Sequence, residues 1–213
     1  MTTGTPAWQR FWDLLDAVPV PADAEYLYDP ATAAGARRRR NLHRYLRLAR
    51  GGGADRLLIA EAPGWRGMSV TGLPFYSVRE AEARPGLLTG SPDGDGVELP
   101  PDPPALWEAS ARDVWRVLAR RHGPLPLSWP IYPHHPHEPC RPRTNRTPRA
   151  AEVRTGAPVA LALIAALEGP ELIAVGRKAQ GALAAAGIAA PAVRHPAQGG
   201  ARLFAEQLAA LGI

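Results

Sequence analysis

Groups that could bind a flat ligand follow two short apolar segments far apart in the chain. The first segment, residues 57–60, ends in Glu-Ala-Pro-Gly at 61–64, and Phe75 lies a little further on. The second, residues 192–195, ends in His195. A strand that stops at Pro-Gly exposes backbone N–H groups, a phenylalanine ring can stack, and a histidine can donate a hydrogen bond. Because ligands of open α/β sheets bind beside the carboxyl ends of strands, we expect these groups to meet there.

The elements that must position these groups alternate between strand and helix. Apolar spacing predicts helices at residues 7–17, 36–50, 105–122, 149–167, 177–186 and 202–211, and strands at 57–60, 127–132, 172–176 and 192–195. Such alternation predicts a parallel sheet covered by helices on both faces. We therefore expect an α/β protein, a three-layer α/β/α sandwich around a four-stranded parallel sheet, in a single domain spanning residues 1–213.

Two stretches interrupt this regular pattern. Pro158 lies inside the predicted helix 149–167 and predicts a kink or a break there. Residues 84–104 are rich in Pro, Gly and Asp, which predicts a surface excursion rather than a domain boundary.

In the helix predicted at 105–122, apolar spacing predicts an inner face that begins at Leu106.

Composition limits the class of protein. The chain has 213 residues, 46% of them hydrophobic, and no run approaches the ~20 apolar residues that a membrane span needs. Its first residues lack the cationic start of a secretory signal, so we expect a cytoplasmic monomer. The single cysteine, Cys140, excludes an internal disulfide and a four-cysteine iron–sulfur cluster. A net charge of +5 suits an anionic partner such as nucleic acid.

Six short motifs follow one another with compatible spacing. They are Glu-Ala-Pro-Gly at 61–64, Thr-Gly-Leu-Pro-Phe at 71–75, Trp-Pro-Ile-Tyr-Pro-His-His-Pro at 129–136, Asn-Arg-Thr-Pro at 145–148, Val-Gly-Arg-Lys-Ala at 175–179, and Arg-His-Pro with Gly-Gly at 194–200. Together they resemble the motifs of the uracil-DNA glycosylase superfamily, in a bacterial branch without an iron–sulfur cluster. The resemblance implies a monofunctional base-excision-repair enzyme that flips a nucleotide out of DNA and hydrolyses its N-glycosidic bond without cofactor or metal.

The resemblance also implies roles for individual residues. His195 would donate a hydrogen bond to the departing base, and Glu61 would orient water or stabilise the sugar cation. Backbone N–H groups at Ala62 would hold the base, and Phe75 would stack on it. The other base-binding residues would be Gly64, Pro130 and His134, and those facing DNA would be Arg66, Asn145, Arg146, Gln198, Gly199, Gly200 and Arg202.

The residues alone also allow purely structural roles for some of these side chains. Phe75 could be a core aromatic, and Glu61 a carboxylate that is hydrogen-bonded at a strand end. The arginine run at residues 37–40, with Arg44 and Arg47, could contact phosphates or form a solvated helix face.

Two positions depart from the pattern of the superfamily. Many relatives carry an acid or an amide at the position of Ala62. They also carry an asparagine, which reads the edge of uracil, at the position of Pro130. Proline has neither an N–H group nor a polar side chain, so that recognition is lost. We expect slow uracil excision and a specificity shifted toward deaminated purines or alkylated bases.

Other functions remain as alternatives. The chain could be a non-catalytic DNA-binding or damage-sensing member, or an N-glycoside hydrolase acting on nucleosides or nucleotides. No Gly-x-Ser-x-Gly elbow is present and no Gly-x-Gly-x-x-Gly follows the first strand, which disfavours an enzyme of the α/β-hydrolase class and a Rossmann dehydrogenase. The spacing of His134, His135, His137 and Cys140 matches no recognised zinc pattern, so we expect no metal.

Overall fold

The computed structural model describes residues 6–121 and 123–213. The helices in chain order are α1 Pro6–Ala17, α2 Ala33–Gly51, α3 Met68–Thr71, α4 Val78–Ala83, α5 Ala109–Leu118, α6 Ala150–Ala166, α7 Arg177–Ala185 and α8 Ala201–Ala210. The strands are β1 Ala24–Glu25, β2 Arg56–Ala60, β3 Leu127–Pro130, β4 His135–Pro136, β5 Glu171–Val175 and β6 Ala192–Val193. No helix in the described part of the chain is long and apolar enough to cross a membrane.

The central sheet has four parallel strands in the order β3-β2-β5-β6. Strand β2 lies inside the sheet, where Leu58 pairs with Ser128 of β3 on one side and with Ile173 of β5 on the other. Residues 57–60 are all buried, as expected for a strand with both faces covered. The four-stranded parallel sheet predicted from the sequence is therefore confirmed.

The direction of the connections assigns helices to the two faces of the sheet. The chain steps from β2 to β3 in one direction, then crosses back to β5 and β6 in the other. Because parallel crossovers are right-handed, α5 lies on one face and α6 and α7 on the other. The packing agrees, since α1 and α7 contact α6 while α8 contacts α5. These contacts confirm the three-layer α/β/α arrangement.

Helix α5 is shorter than the sequence predicts, and the predicted inner position Leu106 is wrong. The side chain of Leu106 is 56% exposed, and the helix begins only at Ala109. The carbonyl of Leu106 accepts a hydrogen bond from the Arg79 N–H at 2.8 Å, which ties this stretch to α4 and not to a turn of α5. His122, the predicted last residue of this helix, lies outside the described residues.

Other boundaries also differ from the prediction. A single helix, α6, runs through Pro158, so the predicted break is not observed. Pro158 and Arg154 are both exposed, so water can satisfy the Arg154 carbonyl that loses its helical partner. Strand β3 ends at Pro130, which cannot donate to a ladder. The small antiparallel pair of β1 and β4 was not predicted.

Candidate functional site

A cavity of about 660 Å³ opens at the carboxyl edge of the parallel sheet. All four strands contribute to its walls, through Glu61 after β2, Pro130 at the end of β3, Gly176 after β5 and His195 after β6. The loops add Ala62, Gly64, Pro74, Phe75, Glu108, Ser110, Asn145, Arg146, Arg177, Lys178, Arg194 and Gln198, among others. A volume of this size is typical of a small-molecule site and has room for a purine as well as a pyrimidine.

His195 enters this cavity as a neutral hydrogen-bond donor. Its Nδ1 accepts a hydrogen bond from the Ala197 N–H at 3.1 Å, which leaves the proton of the neutral ring on Nε2. Burial lowers the pKa of the imidazole to about 4, and the neighbouring Arg194 contributes in the same direction. The ring is therefore uncharged at neutral pH, with one N–H available for a ligand.

Two glycines make room for the loop that carries His195. A Cβ on Gly200 would overlap the carbonyl oxygen of His195, and a Cβ on Gly176 would approach the His195 Cβ to 3.3 Å. Gly200 has an ordinary φ of −80°, so its role is close approach and not unusual backbone geometry. Glycine at 200 thus fixes the position of the histidine without contacting a ligand itself.

Phe75 lies beside His195, with their ring centroids 6.2 Å apart. Its backbone has a φ of +51°, which is uncommon for a residue with a side chain. The Trp115 indole N–H donates to the Phe75 carbonyl at 2.8 Å, and the Thr71 hydroxyl donates to the Tyr76 carbonyl at 2.7 Å. These buried bonds hold a strained conformation, which directs an aromatic ring into the cavity wall.

Glu61 and Ala62 form the end of β2 in the cavity. The Glu61 carbonyl accepts a hydrogen bond from the Tyr132 N–H at 3.2 Å, which joins the loops after β2 and β3. Burial raises the pKa of the Glu61 carboxyl group, and Lys178 partly opposes the shift. Ala62 adds no polar side chain, so Glu61 is the carboxylate that this strand end brings to the cavity.

Asn145 and Arg146 also line the cavity, where the Asn145 side-chain oxygen and the Arg146 guanidinium are bound within the protein. Asn145 Oδ1 accepts a hydrogen bond from the Trp65 N–H at 2.9 Å, which braces the loop after β2. The Arg146 guanidinium contacts both carboxylate oxygens of Glu152, at 2.7 and 2.6 Å, and reaches Asp23 at 3.1 Å. Arg146 therefore shapes the wall with its guanidinium bound to carboxylates. The Asn145 Nδ2 donors have no hydrogen-bond partner within the described residues and remain open to a ligand.

Some residues predicted to act in the site lie outside the cavity lining. His134 is fully buried between the rings of Tyr26 and Tyr132, and burial lowers its pKa to about 4. Arg202 pairs with Glu206 on the exposed face of α8. Arg66 is exposed, and Gly199 and Gly200 adjoin the lining residue Gln198. Neither His134 nor Arg202 is among the residues that line the cavity.

Arginines of α2 are bound to acidic side chains. Arg38 pairs with Glu25, Arg39 with Asp16 and Arg40 with Glu98, each at 2.6 Å. For these three arginines the ion pairs favour the structural interpretation over phosphate contact. Arg37 and Arg47 form no ion pair within the described residues, so for them both interpretations stay open. In the described part of the chain, no group of three His, Cys, Asp or Glu side chains is arranged to hold a metal ion.

Several residues of the cavity were not predicted from the sequence. Arg177, Lys178 and Arg194 are exposed at its mouth, and Glu108 lines its wall. Two of them could have been noticed in the sequence, because Arg177 and Lys178 begin a predicted helix. The helix dipole disfavours cations at that end, so two adjacent cations there are unusual. Glu108 carried no such signal, since it falls within a helix predicted too long.

No family model matches this chain, and no curated protein matches it.

Proposed function

We propose that this protein is a DNA glycosylase of the uracil-DNA glycosylase superfamily, which hydrolyses the N-glycosidic bond of a flipped-out deaminated or damaged base. The observation that carries the proposal is the neutral His195, which directs its Nε2–H beside Phe75 into a cavity at the carboxyl edge of the sheet. In this role the protein is a bacterial base-excision-repair enzyme, monomeric and cytoplasmic, with DNA as its partner and no cofactor.

The chemistry follows from these side chains. The base leaves with the bonding electron pair, and His195 donates a hydrogen bond to the oxygen on which negative charge develops. The sugar becomes an oxocarbenium ion, which the Glu61 carboxylate stabilises. Water then adds its oxygen to C1′, and its proton neutralises the departed base. The products are a free base and an abasic site.

The rim of the cavity suits a nucleic acid. Arg177, Lys178 and Arg194 are exposed cations there, and cations of this kind bind phosphates. Next to the lining residues Gly64 and Glu108 are two aromatic side chains that carry stacked arginines. Arg66 lies 4.7 Å from the Trp65 ring, and Arg112 lies 5.7 Å from the ring of Trp107, which is 41% exposed. Bases that flank a flipped nucleotide can stack on such rings.

The substrate preference is shifted away from uracil. Pro130 occupies the position from which a side chain would recognise the edge of uracil, and it has no hydrogen-bonding side chain. Ala62 likewise supplies no catalytic acid. The loss of such a recognition group relaxes selectivity between bases by orders of magnitude. Deaminated purines therefore compete with uracil for this cavity.

Oligonucleotides with a single modified base test the function. Strands containing uracil, hypoxanthine, xanthine or an alkylated base are incubated with the protein and then cleaved by alkali at abasic sites. We expect cleavage at a deaminated purine to exceed cleavage at uracil, because the uracil reader is absent. Fast uracil excision that depends on His195 would contradict the shifted specificity, and intact strands throughout would contradict the glycosylase.

Two alternatives remain, each with an observation in its favour. The ion-paired arginines of α2 reduce the basic surface, which suits an N-glycoside hydrolase of small nucleosides. This enzyme would release bases from free deoxynucleosides and leave oligonucleotides intact. The apolar Ala62 suits a non-catalytic damage sensor, which would bind DNA with a strong salt dependence and form no abasic product.

Changing Gly200 to alanine is expected to lower the excision rate about 10²-fold, because the added Cβ displaces the His195 carbonyl and moves the ring. Gly181→Ala is the matched control, since a Cβ at Gly181 on α7 meets nothing within 4 Å. Single-turnover excision rates measure both effects. An unchanged rate in Gly200→Ala would show that the position of this loop does not matter to the reaction.

A further inference from the structure

Glu108 places a carboxyl group in the cavity from an element that carries none of the recognised motifs. It is the residue just before α5, and its side chain lies against the turn between Gly64 and Gly67. A Cβ on Gly64 would overlap one carboxyl oxygen of Glu108, and a Cβ on Gly67 would overlap the other. The two glycines thus form a cradle for this carboxyl group.

The carboxyl group has no partner within the described residues. Neither oxygen forms a hydrogen bond or an ion pair there, although Glu108 is one of the lining side chains of the cavity. Beside it, Glu80 on α4 is already bound by the N–H and hydroxyl of Ser77. The other charged or titratable groups of the cavity are Glu61, Arg146, Arg177, Lys178, Arg194 and His195.

These surroundings disfavour the ionised form of Glu108. Burial raises its pKa to about 7, and the repulsion of Glu80 adds to the shift. A neutral carboxyl group carries one O–H donor next to one carbonyl acceptor, the same pair that a side-chain amide presents. A carboxylic acid kept neutral by its site can donate a hydrogen bond at physiological pH.

We propose that Glu108 recognises the edge of the flipped base, where its neutral carboxyl group donates to a ring carbonyl oxygen and accepts from the adjacent ring N–H. This inference rests on the proposed function and supplies the recognition that Pro130 cannot provide. The matching edge is a lactam, which uracil, hypoxanthine and xanthine share, so Glu108 binds all three and does not restore the preference for uracil that is lost at Pro130. Cytosine and adenine present an amino donor and a ring nitrogen acceptor instead, which pair with the same group when its proton lies on the other oxygen, so Glu108 alone does not exclude them. Thymine and guanine also carry a lactam, so other walls must exclude them.

A pH series with three variants tests the role of Glu108. Excision of hypoxanthine and uracil from single strands, and binding of the two free bases, are measured from pH 6 to 8. For the wild type we expect both rate and affinity to fall about tenfold over this range, as the neutral fraction declines. Glu108→Gln keeps the donor and the acceptor, so its values stay near the wild-type values at pH 6 across the range. Glu108→Ala loses at least tenfold at every pH.

Glu82→Gln is the matched control, since Glu82 is exposed on α4, and it should follow the wild type. Loss of activity in Glu108→Gln together with a wild-type rate that rises with pH would overturn the proposal in favour of a general base. Wild-type values in Glu108→Ala would overturn it as well. If Glu108→Ala fails to fold, the pH profile of rate and affinity in Glu108→Gln decides: a flat profile supports the proposal, and a tenfold fall like that of the wild type overturns it. If the wild type excises nothing, the proposed function fails, and the binding of free bases still decides the role of Glu108: no binding overturns it.

Discussion

Replacing His195 with alanine is expected to reduce base excision about 10²–10³-fold, the usual cost of removing one donor from a developing negative charge. The Nε2–H is the donor, because Nδ1 is occupied by the Ala197 N–H. Release of the base under single-turnover conditions measures the rate, since product release does not limit it. The affinity for intact DNA should change much less, because the charge on the base exists only in the transition state.

The matched control for this change is His43→Ala. His43 is exposed, stacks on the Trp12 ring with centroids 4.0 Å apart, and lies outside the cavity lining. We expect His43→Ala to retain the wild-type rate. Full activity in His195→Ala would remove the central support for a glycosylase.

His195 should also make the stability of the wild-type protein depend on pH in a defined direction. The pKa of His195 is about 4 in the folded protein, below the ordinary value of 6.5, so the unfolded chain binds the extra proton between these values. The contribution of this residue is therefore complete above pH 6.5 and is lost as the pH falls toward 4. Across that window, we expect urea unfolding to show a steeper loss of stability in the wild type than in His195→Ala.

Replacing Arg146 with alanine is expected to lower the free energy of unfolding by about 3 kcal/mol, because Glu152 and Asp23 would keep their charges without a partner. The Arg146 side chain is only 16% exposed, and its Nε also donates to the His137 carbonyl at 3.1 Å. Hydrogen bonds that the guanidinium donates to Glu152, together with those it donates to Asp23, raise its pKa. Urea denaturation at pH 7 measures the loss.

Arg149→Ala provides the comparison within the same cluster. Arg149 contacts the same two carboxylates, but its side chain is 54% exposed, so its removal should lower the free energy of unfolding much less than removal of Arg146. A phosphate-binding role for Arg146 predicts the opposite pattern. In that case Arg146→Ala would keep its stability and lose DNA affinity, with a weaker salt dependence of binding.

The parts of the site that could be predicted from the sequence lie at strand ends. Glu61, Pro130 and His195 follow apolar segments, and parallel strands bring their carboxyl ends to one edge. His134 follows a strand end as well, yet it lies in the interior. The chain turns there to form β4, and local spacing carries no sign of that turn.

Glu108 shows a different limit of sequence analysis. The apolar spacing of α5 continues backward into Leu106, so a helix beginning there looked regular. A hydrogen bond from Arg79 to the carbonyl of Leu106 ties this stretch to α4, and that contact is not local in sequence. Tertiary contacts thus decided where the helix begins. They also decided that Glu108 faces the cavity.

The sheet order has a consequence for how the protein is made. Strand β2 pairs with β5, so Leu57 cannot form its pairing in the central sheet until Leu172 has been synthesised. The wall at His195 is synthesised later still, and the turn that holds it needs Gly200. Non-local pairing of this kind forms late in folding. A nascent chain that has not been synthesised beyond Gly200 therefore lacks one wall of the cavity and cannot yet bind a base there.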